Sequence, residues 1–180
     1  MGAIRAYENV KPLLGILTSA PEIIDRIKPA IEKRLGPIEQ DSGLFPWNSS
    51  SYYAEEMGEA LYRRFLSFKK LIDPDGLAEI KRWTNDLEKE VASKGPWRVA
   101  RPVNLDPGYI SLAKLVLAST KDYSHRLPIG KGIYAEITLL WGKNTFTFRE
   151  STYPDYRTRE YVLFFNQVRQ TLADQILTQR

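Results

Sequence analysis

The chain of 180 residues contains no cysteine and a single histidine, His125. The first absence excludes disulfides, thiolate nucleophiles and cysteine-bound zinc or iron–sulfur clusters. The second excludes phosphoesterase chemistry built on two histidines, and any zinc site with two or more imidazoles. No segment approaches the ~18 consecutive apolar residues of a membrane span. A Gly-x-x-x-x-Gly-Lys-Ser/Thr phosphate loop is missing, and Gly130-Lys-Gly132 is too short to stand in for one. Internal repeats and low-complexity tracts are also missing. The opening residues Met-Gly-Ala-Ile-Arg-Ala-Tyr-Glu-Asn-Val mix acid with base and lack an apolar core of signal-peptide length. The expectation is a cytoplasmic protein with no membrane partner.

What is present bounds the answer further. At 43% hydrophobic and 27% charged residues, the chain can bury one sizeable core. We therefore expect a single α+β domain over residues 1–180. A net charge of +4 is too small to imply nucleic acid by itself. Its distribution is less even: Arg98, Arg101, Lys114, Lys121, Arg126 and Lys131 face only Asp106 and Asp122 in the same stretch. Such a local surplus favours an anionic ligand, and the plain alternative is a solvated face with counter-charges elsewhere.

Hydrophobic periodicity supplies the elements. Lys11 to Leu17 is a short apolar run of strand length. Ser19-Ala-Pro-Glu22 has capping-box spacing, and Ile23, Ile24, Ile27, Ile31 and Leu35 recur with helical period until Gly36-Pro37, with a kink expected at Pro29. Ile38 to Asn48 reads as extended, ending in a turn around Phe45-Pro-Trp-Asn48. Leu61 to Ile72 fits helix or strand, and its aromatic content and the Asp73-Pro-Asp-Gly76 turn favour strand. Leu77, Ile80, Thr84, Leu87 and Val91 mark a second helix, stopped by Lys94-Gly-Pro96. Val99 to Leu105 reads as a strand entering a turn at Asp106-Pro-Gly-Tyr109. Ser111 to Thr120 is a short helix or a strand. A hairpin follows, in which Ile133, Ala135, Ile137, Leu139 and Trp141 form a core face opposite Tyr134, Glu136 and Thr138. The last helix packs through Tyr161, Phe164, Phe165, Val168, Leu172 and Ile176, with Thr158 as its N-cap.

This order predicts a mostly antiparallel sheet with helices packed on it, a ferredoxin-like βαββαβ core followed by a C-terminal hairpin and helix. Several runs then carry a resemblance: Asn104-Leu-Asp-Pro-Gly-Tyr109, Thr120-Lys-Asp-Tyr-Ser-His-Arg126, Gly130-Lys-Gly-Ile-Tyr-Ala-Glu136, Thr152-Tyr-Pro-Asp-Tyr-Arg157 and, earlier, Arg64-Phe-Leu-Ser-Phe68 and Leu71-Ile-Asp-Pro74. With these the chain resembles the bacterial and archaeal domain-of-unknown-function family 4416 over nearly its whole length. The resemblance implies no activity, no cofactor and no catalytic residue.

Chemistry concentrates between Asp122 and Glu136. Asp106, Asp122, His125 and Glu136 are the candidate catalytic groups. Lys121, His125, Arg126, Lys131, Tyr156 and Arg157 are candidate ligand-binding residues, the cations for phosphate oxygens and the tyrosine for a ring. Asp106, Asp122 and Glu136 are hard oxygen donors of the kind a magnesium or manganese site requires. A serine–histidine–acid triad from Ser124, His125 and Asp122 is disfavoured, because adjacent residues of an extended chain point to opposite faces. Each member also has a plain role: Asp106 starts a turn, Asp122 caps one, Glu136 pairs with Arg126 or Lys131, and His125 is a satisfied buried imidazole. Arg63, Arg64, Lys69 and Lys70 alternate with Tyr62, Phe65 and Phe68 as a strand-borne RNA surface would, although core aromatics explain the pattern better. The leading expectation is binding of a phosphate-bearing ligand, a nucleotide or RNA, near Asp122 to Glu136. The alternatives are a metal-dependent hydrolase or transferase using Asp106, Asp122 and Glu136, and a protein interaction module without chemistry. The residues do not decide whether the protein is an enzyme.

Overall fold

A computed structural model describes residues 2–4, 6–48 and 53–178. The strands are β1 (Lys11–Thr18), β2 (Ile38–Asp41), β3 (Phe45–Trp47), β4 (Leu61–Phe68), β5 (Val103–Ile110), β6 (Lys114–Ser119), β7 (Leu127–Gly130), β8 (Ile133–Gly142) and β9 (Thr145–Phe148). The helices are α1 (Glu22–Leu35), the short α2 (Ala54–Met57), α3 (Leu77–Ser93) and α4 (Arg159–Thr178). The strands all pair antiparallel in one sheet of order β2-β4-β1-β5-β6-β8-β7, with β3 beside β4 and β9 beside β8. Its first part, β1-α1-β2-β4-α3-β5 in the order β2-β4-β1-β5, is the expected ferredoxin-like arrangement. Among the described residues no helix is long and apolar enough to cross a membrane.

Both faces of the sheet are covered, which explains why β1 is buried along its whole length. Leu14 and Ile16 face α1 and α3, in a core with Leu66, Phe68, Val103 and Leu105. Leu13 faces the other way, into a second core with Phe65, Leu117 and the α4 residues Phe165, Val168 and Leu172. Phe65 and Phe68 are fully buried and Tyr62 is half-buried, so β4 presents no open row of stacking aromatics.

Four expectations are corrected by the fold. Asp106-Pro-Gly-Tyr109 is no turn: β5 continues through it, with Leu14 opposite Pro107 and Leu13 opposite Gly108. The ladders to β1 and β6 override the local turn preference, and Gly108 serves close approach instead, since a Cβ there would lie 2.2 Å from the Val116 carbonyl oxygen. Gly108→Ala should therefore push β6 off β5 and lower stability by about 1–3 kcal/mol, read as a drop in urea midpoint; an unchanged midpoint contradicts the packing.

Secondly, Ser19 makes no capping box. Pro21 precedes α1 without a side-chain cap, and Thr18 Oγ1 instead accepts from the Ala20 amide at 3.0 Å. Thirdly, Phe45-Pro-Trp47 is strand β3 where a turn was expected, while of the two alternatives for Ser111 to Thr120 the strand is found, as β6. Fourthly, the faces of β8 differ from simple alternation. The β6–β8 register shifts between Leu115↔Leu139 and Val116↔Ile137, a bulge that brings Leu139 to the face of Glu136. Glu136 is thus 4% and Thr138 1% exposed, whereas Ile137 is 39% exposed.

Candidate functional site

On the α4 side of the sheet, opposite residues form cross-strand rows that fix which side chains meet. One row joins Phe65, Gly15 and Asp106; the next joins Leu13, Gly108, Leu117 and Glu136. Gly15 lets side chains approach the sheet at the centre, where a Cβ would stand 3.2 Å from both Phe65 and the Tyr156 hydroxyl and 3.5 Å from Arg63 Nη1. Over these rows fold the 120–126 loop and the 149–157 segment that leads into α4. They enclose a cavity of about 490 Å³, a size that suits a small molecule.

Arg63 organises one end. Its Nη1 donates to Asp106 Oδ2 at 2.8 Å and its Nη2 to Asp155 Oδ2 at 3.3 Å. Trp47 Nε1 donates to the same Asp155 oxygen at 3.0 Å. A supporting chain orients Asp106 from behind: Asn104 Nδ2 donates to Asp106 Oδ2 at 2.7 Å, and Arg101 donates to Asn104 Oδ1 and, at 3.0 Å, to Glu88 Oε2. Burial pushes the Asp106 carboxyl up, but the charges of Arg63 and Lys81 outweigh it and hold the group below the usual carboxylate range. Burial also raises the Tyr53 phenol to about 12, with Asp106 adding to the effect, and raises Tyr153 and Tyr156. All three phenols are therefore neutral hydrogen-bonding groups at neutral pH. Among the described residues, the buried Arg63 Nε and Tyr156 hydroxyl at this end have no hydrogen-bond partner of ordinary geometry.

Arg126 organises the other end. Its Nε donates to Glu136 Oε2 at 2.8 Å, its Nη1 to Ser119 Oγ and the Lys121 carbonyl at 2.9 Å each, and its Nη2 to the Tyr153 hydroxyl. One guanidinium thus ties together the 120–126 loop, β6, β8 and the 149–157 segment. His125 Nε2 lies 3.1 Å from the same Glu136 oxygen. Tyr123 stacks on the His125 ring with centroids 6.0 Å apart, and Arg126 lies over the Tyr123 ring at 4.6 Å.

Among the residues expected from the sequence, Asp106, Lys121, His125, Arg126, Glu136 and Tyr156 line this one cavity. The others do not. Lys131 is turned away to an ion pair with Glu79 on α3. Arg157 donates to the backbone carbonyls of Thr152 and Glu150 at 2.8 Å and covers Phe148, so it holds the segment in place. Asp122 is exposed on the loop, away from the cavity wall. The carboxylate trio proposed for magnesium or manganese is accordingly not assembled: Asp106 is engaged by Arg63, Glu136 by Arg126, and no group of three metal-ligating acids, histidines or cysteines occurs among the described residues. Asp106 and Glu136 remain in the site as anchors for guanidinium groups.

Trp47, Arg63 and Asp155 were not expected here. Their only signal was the polarity of Arg63 within an apolar strand and of Asp155 between two tyrosines.

A family described as a domain of unknown function (DUF4416) matches residues 8–172 of the chain. No curated protein and no solved structure matches the chain.

Proposed function

This chain belongs to the DUF4416 family, a domain of unknown function, and from that premise, which brings no activity with it, we propose that it binds a small phosphate-bearing ligand of the nucleotide type. The observation that carries the reading is the meeting, in one cavity, of aromatic walls from Trp47, Tyr53 and Tyr156 with a basic mouth from Lys121 and Arg126, beside the His125 imidazole. A planar ring lies against the aromatic end, where its polar edge meets the Asp106 carboxylate. The phosphate lies at the mouth. The enclosed shape favours a single nucleotide over an extended RNA strand, which needs an open stacking surface that buried Phe65 and Phe68 do not provide.

Calorimetric titration with the four common nucleoside monophosphates, their nucleosides and inorganic phosphate tests this. At least one monophosphate should bind more tightly than its nucleoside, and Lys121→Ala should remove about 1 kcal/mol of that advantage, as expected for one charge-assisted contact. Equal affinities for nucleotide and nucleoside, or no binding of either, contradict the reading.

A further inference from the structure

The chain spends its only imidazole on a carboxylate that is already satisfied. Glu136 is buried, and its Oε2 accepts from Arg126 Nε while its Oε1 accepts from Thr138 Oγ1 at 3.3 Å. Arg126 alone therefore neutralises Glu136, and His125 is not needed for that. An ionised carboxylate only accepts hydrogen bonds, so the ring nitrogen facing it, Nε2, carries the proton. The neutral ring then keeps its lone pair on Nδ1. That atom has no described partner, and the side chain, one third exposed (33%), lines the cavity mouth. Glu136 fixes one ring nitrogen and Tyr123 stacks on the ring face, so the imidazole is oriented by two contacts. This is the arrangement of a proton-transfer group: a base open on one side and backed by a buried anion that stabilises the imidazolium formed.

We propose that His125 is a catalytic general base and that the cavity hydrolyses a small nucleoside phosphodiester, an inference that rests on the nucleotide-binding reading. A water oxygen attacks phosphorus and gives its proton to His125 Nδ1. The bond from phosphorus to the leaving oxygen, in line on the opposite side, breaks; that oxygen takes a proton from solvent water, and the imidazolium releases its own proton to solvent. Phosphodiester and water become a phosphate monoester and an alcohol, and His125 returns to its neutral form. The diester follows from charge: Arg63, Lys121 and Arg126 are matched by Asp106, Asp155 and Glu136. A cavity so balanced accommodates the single charge of a diester more readily than the two of a terminal phosphate. Glu136 acts as a positioning residue.

Two measurements test the proposal. Nitrogen-detected NMR of the single histidine reads its tautomer directly, and the Nε2–H form is expected, with Glu136→Gln weakening that preference. Turnover and binding are measured in parallel on 2′,3′-cyclic nucleotides, dinucleoside monophosphates and bis(p-nitrophenyl) phosphate. His125→Gln should lower kcat at saturating substrate by roughly 10²–10⁴-fold, a loss in turnover read separately from any change in affinity. An Nδ1–H tautomer, a bound diester that is not cleaved, or a His125→Gln variant with the wild-type rate overturns the catalytic role and leaves nucleotide binding intact. Failure of every phosphate compound to bind overturns both.

Discussion

Arg63→Ala is expected to lower folding stability by about 3–5 kcal/mol, the loss typical when one member of a buried ion pair is removed. Arg63 is 4% exposed, and its guanidinium stands between Asp106 and Asp155, while Trp47 shares the Asp155 oxygen. Without it two carboxylates face each other across the space above Gly15, with no cation in direct contact with either. Asp155→Asn in the same chain should recover part of the loss, because it removes one of the two stranded charges. The pH dependence has a definite sign. In the wild type the Asp106 carboxyl is held low, so its stabilisation is present above the ordinary carboxylate range, ~4, and is lost as pH falls through the lowered value. In Arg63→Ala burial is less opposed and the carboxyl moves up, so the variant takes up its proton at higher pH. The gap between wild type and variant, measured by urea denaturation, should therefore narrow on acidification from pH ~7 to ~4. A gap that does not change with pH contradicts the role given to Asp106.

The second large effect is Arg126→Met, again about 3–5 kcal/mol. Glu136 would keep only His125 and Thr138 as partners, although its side chain is 3% exposed. The same substitution unties the Lys121 carbonyl, Ser119 and Tyr153 from one another. Amide hydrogen exchange should accordingly speed up across 120–126 and 149–157 more than in the helices, since the loss is local to the cavity mouth. Arg126→Met with Glu136→Gln should regain most of the stability, because the buried charge is gone. A loss below about 1 kcal/mol, the range of an exposed pair, would mean that water reaches Glu136.

Much of the fold was legible because its periodicities are local. Ile23 to Leu35 and Tyr161 to Leu172 carry helical spacing and form α1 and α4. The Lys131-Gly132 and Lys143-Asn144 turns take φ between 54° and 74°, which Gly132 and Asn144 accept readily. Asp106-Pro-Gly-Tyr109 was misread because its local preference for a turn is overruled by two neighbouring strands, which no local pattern reveals. The β8 faces were misread for a related reason, since the bulge opposite β6 belongs to the pair and not to either strand. The same division runs through the site. His125 and Arg126 immediately precede β7 and Glu136 lies on β8, 11 residues from His125, so their association follows from proximity in the chain. Arg63 and Asp155 are 92 residues apart, and Trp47 and Asp155 are 108 apart. Only the sheet order and the placement of the 149–157 segment bring them together.

The central claim is that the cavity, with its aromatic wall and basic mouth, takes a nucleotide whose phosphate approaches His125. Because the chain has one histidine, its ring carbon-bound protons give one unambiguous set of NMR signals. On titration with the best-binding nucleoside monophosphate these signals should shift and saturate at the affinity found by calorimetry, while the matching nucleoside moves them less. Signals that stay in place while the nucleotide binds would put the ligand elsewhere on the protein and contradict the account.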